Sequence, residues 1–252
     1  MLAVAAIAQL SSLIVGTAIL VAIGESLPTG APLAYALAAG GFGAFGLLAL
    51  YRALAIGIMS IAAPISALAA VVPFAWGIAS GDRPQALQLV GAGIAMLGAV
   101  LAAREPSRAP VSSDRFRQSV GLALFSAVGL GLGLVMLGKA SSAGAVPVIV
   151  ADRIATAGLI VPLAMLRRQM PRPSARSWWA PAMVGVFDTG ANVLFVLAFQ
   201  AGGLMAIIGL LASLYPVTTV LLARFVLSER LERHQTLGIA TALAGVALVS
   251  AG

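Results

Sequence analysis

The stretch YRALAIGIMSIAAPISALAAVVPFAWGIASGDRPQALQLVGAGIAMLGAVL, residues 51–101, is written again, loosely, at 194–248 as LFVLAFQAGGLMAIIGLLASLYPVTTVLLARFVLSERLERHQTLGIATALAGVAL. Each copy runs from an apolar segment into a short Gly turn, then into an apolar segment with a proline near its middle. A charged turn follows, and then Gln–x–x–Gly opens a last apolar segment. Pro73 answers Pro216, and Ser80-Gly81-Asp82-Arg83 answers Leu227-Ser228-Glu229-Arg230. Gln88-Leu89-Val90-Gly91 answers Gln235-Thr236-Leu237-Gly238. A multi-helix unit repeated inside a very apolar chain is how many solute transporters are built, with the solute between the halves.

Composition points to the same solvent. The chain is 61% hydrophobic and 9% charged, with mean hydropathy +1.06, against about 25% charged residues in soluble domains. In water it would expose apolar patches far beyond what a monomer tolerates. There is no cysteine, so disulfides, thiolate metal sites and cysteine nucleophiles are excluded. One histidine, His234, rules out a multi-histidine metal site. Eight acidic residues leave little material for carboxylate catalysis, and no nucleophile, base and orienting group fall at catalytic spacing. No cofactor, metal or enzymatic role is expected. The net charge of +7 sits in short breaks between apolar segments. No basic stripe interleaves with aromatics, so nucleic acid is not a partner.

Nine segments are long enough to span a bilayer, at about 20 residues each. They cover residues 2–23, 31–54, 58–79, 86–103, 118–138, 144–167, 178–200, 203–227 and 235–252. Their runs are continuously apolar rather than alternating, which excludes a membrane barrel. Backbone amides in lipid must be paired within the segment, which selects helices. The expected class is therefore all-α, a polytopic integral membrane protein. A polar stretch at 105–117 divides it into 1–104, with four helices, and 118–252, with five. Val4–Ile23 matches Val146–Leu166, the second helix of its half. The expectation is that the first half lacks its opening helix, a genuine nine-helix protein being the alternative.

At this point the repeat resembles the drug/metabolite transporter superfamily, and within it the EamA-type permeases. The carrying residues are Leu214-Tyr215-Pro216-Val217, Ser228-Glu229-Arg230-Leu231 and Gln235-Thr236-Leu237-Gly238. Val72-Pro73-Phe74 and Gly91 match them in the first half, where Asp82 stands in for the usual Glu. Arg153, early in the second helix of its half, also looks family-like. The resemblance implies two inverted five-helix repeats around a central cavity. It also implies transport of small metabolites, often amino acids, and in many members use of the proton gradient. The implied partners are a small-molecule solute, protons and membrane lipids, with a homo-oligomer left open.

Few charges lie inside the segments. Asp188 is near the middle of its segment, where a charge costs about 3 kcal/mol on insertion scales. It needs a partner, a wet cavity or a proton. Asn192 is one turn on and shares its face. Asp188 is thus a candidate proton carrier or ligand for a substrate ammonium, or else a carboxylate that only locks helices together. Arg153 cannot shed its charge and suits carboxylates bidentately. It is expected to hold a substrate carboxylate, or to pair with Asp188 or a backbone carbonyl. Asp152 precedes it, but adjacent helical residues point about 100° apart, so the two are not expected to face each other. Pro64, Pro73 and Pro216 are expected kinks and gating points. Trp76, Ser213, Tyr215 and Thr218 are candidate lining beside them. Arg52 and Arg224, near segment ends, are expected to snorkel to headgroups. Gly41-Phe42-Gly43-Ala44-Phe45-Gly46 spells G-x-G-x-x-G, but inside an apolar span it reads as close helix packing rather than as a dinucleotide site.

The reading is a transporter of small polar metabolites, with amino acids favoured because Asp188 and Arg153 together match a zwitterion. Alternating access with proton-coupled export is the expected mechanism. A multidrug-type exporter of lipophilic cations is the alternative, and a non-transporting or incomplete membrane component is another. Arg104, Arg108, Arg115 and Arg117, then Arg167, Arg168, Arg172 and Arg176, then Arg230 and Arg233 fall on one face of nine alternating helices. The positive-inside rule makes that face cytoplasmic and the C-terminus external, whereas the resemblance implies a cytoplasmic C-terminus. In this cysteine-free chain, Ser112→Cys should react with an impermeant maleimide from the cytoplasmic side only. Reaction from outside would decide for the opposite orientation.

Overall fold

The computed structural model describes residues 2–56, 59–103, 113–168, 179–212 and 232–251, and also residues 214, 215, 217, 218, 221 and 225. At 59–61 and 63 it describes the backbone alone. In chain order the helices are α1 (Leu2–Ile23), α2 (Gly30–Ala55), α3 (Met59–Ala67), α4 (Val71–Ala79) and α5 (Ala86–Ala102). They continue as α6 (Ser113–Ala140), α7 (Ala145–Leu166), α8 (Trp179–Gln200), α9 (Met205–Ala212) and α10 (Arg233–Ala251). No strand occurs among the described residues. Six of these helices are long and apolar enough to cross a membrane, and Pro64–Ala79 and Ala86–Ala102 are shorter apolar helices.

Two boundaries differ from the sequence reading. α6 begins at Ser113, inside the stretch read as linker. Polarity marks where the apolar core of a helix starts, not where its hydrogen bonds start, and Asp114 in the first turn complements the helix dipole. The expected segment 58–79 is two helices joined by a 3₁₀ turn at Leu68–Ala70. Pro73 has no N–H for the Ala69 carbonyl, so the α-ladder cannot run through. Most of the expected segment 203–227 beyond Ala212, including Ser213 and Pro216, lies outside the described residues.

The Gly turns have a common construction. α4 ends with Gly81 at φ +107, a conformation that favours glycine. The Asp82 N–H reaches back to the Gly77 carbonyl and the Gly81 N–H to Ile78, the paired bonds of a Schellman stop. α8 stops the same way, with Gly202 at φ +86 and the Gly203 N–H bonded to the Ala198 carbonyl.

The chain packs as two compact units, Met1–Ala44 with Gly133–Gly203 and Phe45–Leu132 with Leu204–Gly252. Each draws helices from both sequence halves. The repeat divides the chain, whereas the units divide the packing.

In the first unit α1 lies against α7 and α8. Polar and small residues make these contacts. Ser12 and Thr189 share a hydrogen bond, and the Ser11 hydroxyl donates to the Ala182 carbonyl. A β-carbon on Gly185 would collide with the Ala8 carbonyl. α2 meets α7 at Gly40, whose missing side chain leaves room for the Asp152 carbonyl.

In the second unit α5 and α10 form the closest pair. Gly91 rests on Gly245 and Val249, and Gly98 rests on Gly238 and Ala242. The helices are therefore antiparallel, backbone against backbone. This explains the Gln–x–x–Gly motif. Gln88 accepts the Gln85 N–H at 2.9 Å, and Gln235 accepts the Glu232 N–H at 3.1 Å. Each Gln satisfies a donor at its helix start, and the Gly three residues on opens the contact. Elsewhere in this unit Gly77 adjoins Ala206 and Gly209 receives the ring of Pro73. The Asp82 carboxylate accepts the Ala206 N–H at 2.9 Å, so the charged turn after α4 caps α9. The G-x-G-x-x-G stretch lies wholly inside α2. Gly46 abuts Leu130 of α6, while Gly41 has open space beside it.

Gly98→Leu should disrupt the α5–α10 contact at a cost of about 1–3 kcal/mol or more. It should lower the thermal midpoint in detergent clearly, while Gly93→Leu, which enters open space, should leave it nearly unchanged. Equal effects from the two would refute this account of the pair.

Candidate functional site

The buried polar residues are unevenly placed. Gln9, Ser12, Asp152, Arg153, Thr156 and Thr189 all lie in the first unit. Among the described residues the second contributes the small hydroxyls Ser66, Ser119 and Ser126. Among the described residues, the buried ionic groups all belong to one cluster on α1, α7 and α8.

Arg153 is its centre, with its side chain 7% exposed. Nη1 donates to Gln9 Oε1 of α1 at 3.1 Å. Nη2 meets Asp188 Oδ2 of α8 at 2.9 Å. Nε points toward Asp152 Oδ2 of its own helix at 3.6 Å, too far for a hydrogen bond. Among the described residues Nε has no hydrogen-bond partner. The expectation that Asp152 and Arg153 do not face each other is corrected here. A 100° separation holds at the Cβ atoms, but the long arginine arm folds back across it.

Asp188 is held from both sides. Its Oδ1 accepts from Asn192 Nδ2 at 3.1 Å, and the same nitrogen donates to the Asp188 carbonyl at 2.8 Å. One turn of helix thus fixes the carboxylate that Arg153 engages. Asp188 is nevertheless 41% exposed at the side chain, against 10% for Asp152. The group carries two carboxylates and one guanidinium, a formal charge of −1 when all are ionised. Beneath it, Thr156 donates to the Asp152 carbonyl at 3.0 Å and to the Gly40 carbonyl at 3.2 Å, fixing α7 against α2.

The residues singled out from sequence belong to different units. Asp188, Asn192 and Arg153 are brought together. Trp76, Tyr215, Thr218, Pro64 and Pro73 belong to the second unit. There the Tyr215 hydroxyl donates to Ser66 Oγ at 3.2 Å. Ser213, Pro216 and Arg224 lie outside the described residues. Arg52 is exposed in the last turn of α2, which suits snorkelling. Trp179, 69% exposed at the start of α8, suits the membrane interface. Sequence reasoning missed Gln9, although a lone amide in the uncharged α1 was a visible signal. Among the described residues no cluster could hold a metal ion.

Breaking a buried ion pair costs about 3–5 kcal/mol because the remaining charge is left unanswered, and arginine cannot shed its charge. Asp188→Asn, which leaves the buried guanidinium with Gln9 and with Asp152 at 3.6 Å, should therefore lower the thermal midpoint in detergent more than Asn192→Ala, which leaves the ion pair in place. Equal effects would show that the pair does not hold α8 to α7.

Three comparisons with known proteins bear on this arrangement. A sequence profile of the EamA-like transporter family matches residues 118–251, more than half of the chain. No curated protein matches it. Among solved structures 20 chains match. One, described simply as the crystal structure of a protein, superposes with TM-score 0.82 at 18% identity. That match covers 99% of this chain and 88% of the other, and at such identity it bears on the fold alone.

Proposed function

We propose, for a chain that belongs to the EamA-like transporter family and is an integral multi-pass membrane transporter, that the Arg153–Asp188 pair is its solute site. The solute class is a small zwitterion, an amino acid or a close relative. One observation carries this: a buried guanidinium bonded at 2.9 Å to a carboxylate that is itself 41% exposed. A zwitterion can insert into such a pair without leaving any charge alone. Its carboxylate takes the guanidinium, with charge-assisted hydrogen bonds. Its ammonium takes Asp188, already oriented by Asn192. One ion pair becomes two, and no intermediate buries an unpaired charge, the situation that costs most in lipid.

The proposed cycle is alternating access, with export of the solute coupled to proton entry across the cytoplasmic membrane of a bacterial-type cell. The excess of one carboxylate also suits a cation. This gives the lipophilic-cation exporter its best argument and makes it the reading to test against.

Flux through proteoliposomes containing the purified chain separates the two. Saturable flux of neutral amino acids, accelerated by a pH gradient, is expected. Arg153→Lys removes the planar fork. Losing one charged hydrogen bond of about 1.5–3 kcal/mol should slow initial rates roughly ten- to a hundred-fold. Saturable flux of a lipophilic cation, with none of any amino acid, would decide for the alternative.

A further inference from the structure

We infer that Asp152 is the proton-binding carboxylate of this transporter, and that its protonation commits Arg153 to Asp188. The inference rests on the solute site proposed above and adds a second, separate role to it.

The geometry divides the two carboxylates sharply. Asp188 has a guanidinium at 2.9 Å, an amide on its other oxygen and substantial exposure. Asp152 is nine-tenths buried, and its nearest cationic atom, Arg153 Nε, is 3.6 Å away. That Nε is buried and makes no hydrogen bond among the described residues. A carboxylate and a guanidinium N–H, both removed from solvent and less than an ångström short of a hydrogen bond, form an unfinished contact. An ionised carboxylate buried this way needs a hydrogen-bonded partner or a proton.

The charged surroundings leave only one arrangement to consider. α1 contributes no charged residue, only Gln9. α8 contributes Asp188 alone, and α7 itself contributes Arg153 alone. α2 contributes backbone at Gly40. Its titratable Tyr35 lies under Lys139, 5.2 Å from the ring centroid. One guanidinium is therefore shared by two carboxylates, and a proton on either settles the division.

With a proton on Asp152, Arg153 has no reason to close the Nε gap, and Nη2 stays on Asp188. This is the observed arrangement. When Asp152 releases that proton to water, the ionised carboxylate draws Nε into a hydrogen bond. Nη2 turns off Asp188, so that a solute ammonium finds Asp188 open and the solute carboxylate finds Nη2, as the insertion proposed above requires. Proton and solute thus oppose each other through the position of one side chain, the linkage an exchanger requires.

Infrared difference spectroscopy of the purified full-length chain between acidic and alkaline pH tests the proton site without any solute. The high-frequency component of the protonated-carboxyl stretch, which marks a carboxyl removed from water and is separate from the band of the exposed acids, should titrate in the wild type and in Asp188→Asn, and should vanish in Asp152→Asn. A band that survives Asp152→Asn, or that disappears in Asp188→Asn, overturns the inference. Should Asp152→Asn not fold, Asp152→Glu serves: it should keep a band shifted from that of the wild type, and an unshifted band is equally fatal. In weakly buffered detergent solution, adding neutral amino acids should release protons from the wild type and none from Asp152→Asn. Proton release that persists in Asp152→Asn would overturn the inference. A chain that shows the band but releases no proton to any amino acid would retain the proton site and refute the solute reading.

Discussion

A guanidinium held at membrane depth is the constraint around which the first unit is arranged. Arginine does not give up its proton, so its charge must be answered wherever the fold places it. Here the answer comes from three helices: an amide from α1, a carboxylate from α8 and a neighbouring carboxylate on α7. The serine and threonine bonds between α1 and α8, and the Thr156 bond from α7 to α2, keep those groups at hydrogen-bonding distance. Little apolar driving force separates helix from lipid in such a protein. Close packing through small residues and a few well-placed polar contacts therefore carry the specificity of assembly.

The second unit solves a different problem by other means. It holds no comparable ionic group among the described residues. Its order comes from backbone contacts at glycine, above all between α5 and α10, and from caps at helix ends. The repeated sequence motif turns out to be two devices written next to each other. The glutamine finishes a helix start, and the glycine three residues later admits a neighbour. A transporter needs polar chemistry in one place and firm packing elsewhere, and the two units differ in that way.

Fold class was legible because lipid imposes one rule on every segment: long, continuous and apolar. The ends were less legible. α6 starts in polar sequence because a helix can outrun the bilayer, and the 3₁₀ turn before Pro73 shows only when the missing N–H is followed to its acceptor. Asp188, Asn192 and Arg153 could be named from sequence because charges are rare in such segments. Their meeting could not, since it depends on which faces of α7 and α8 adjoin. The 100° rule misled at Asp152 because it describes where side chains leave the backbone, not where a flexible arm ends. Gln9 carried a weaker signal, being uncharged, and gains its meaning only from the arginine 144 residues away.

The carboxylate that caps α9 bears on how the protein is made. Asp82 belongs to the end of α4, yet its partner N–H lies 124 residues further along the chain. The glycine face of α5 likewise waits for α10, which is made long after it. During synthesis α4 and α5 therefore stand for a time without the partners that Asp82 and the glycine face later meet. The second unit cannot close until α10 has been made. Translocon release and quality control therefore meet this unit in an unfinished state until α10 arrives, and that helix acts as the closing step of its assembly.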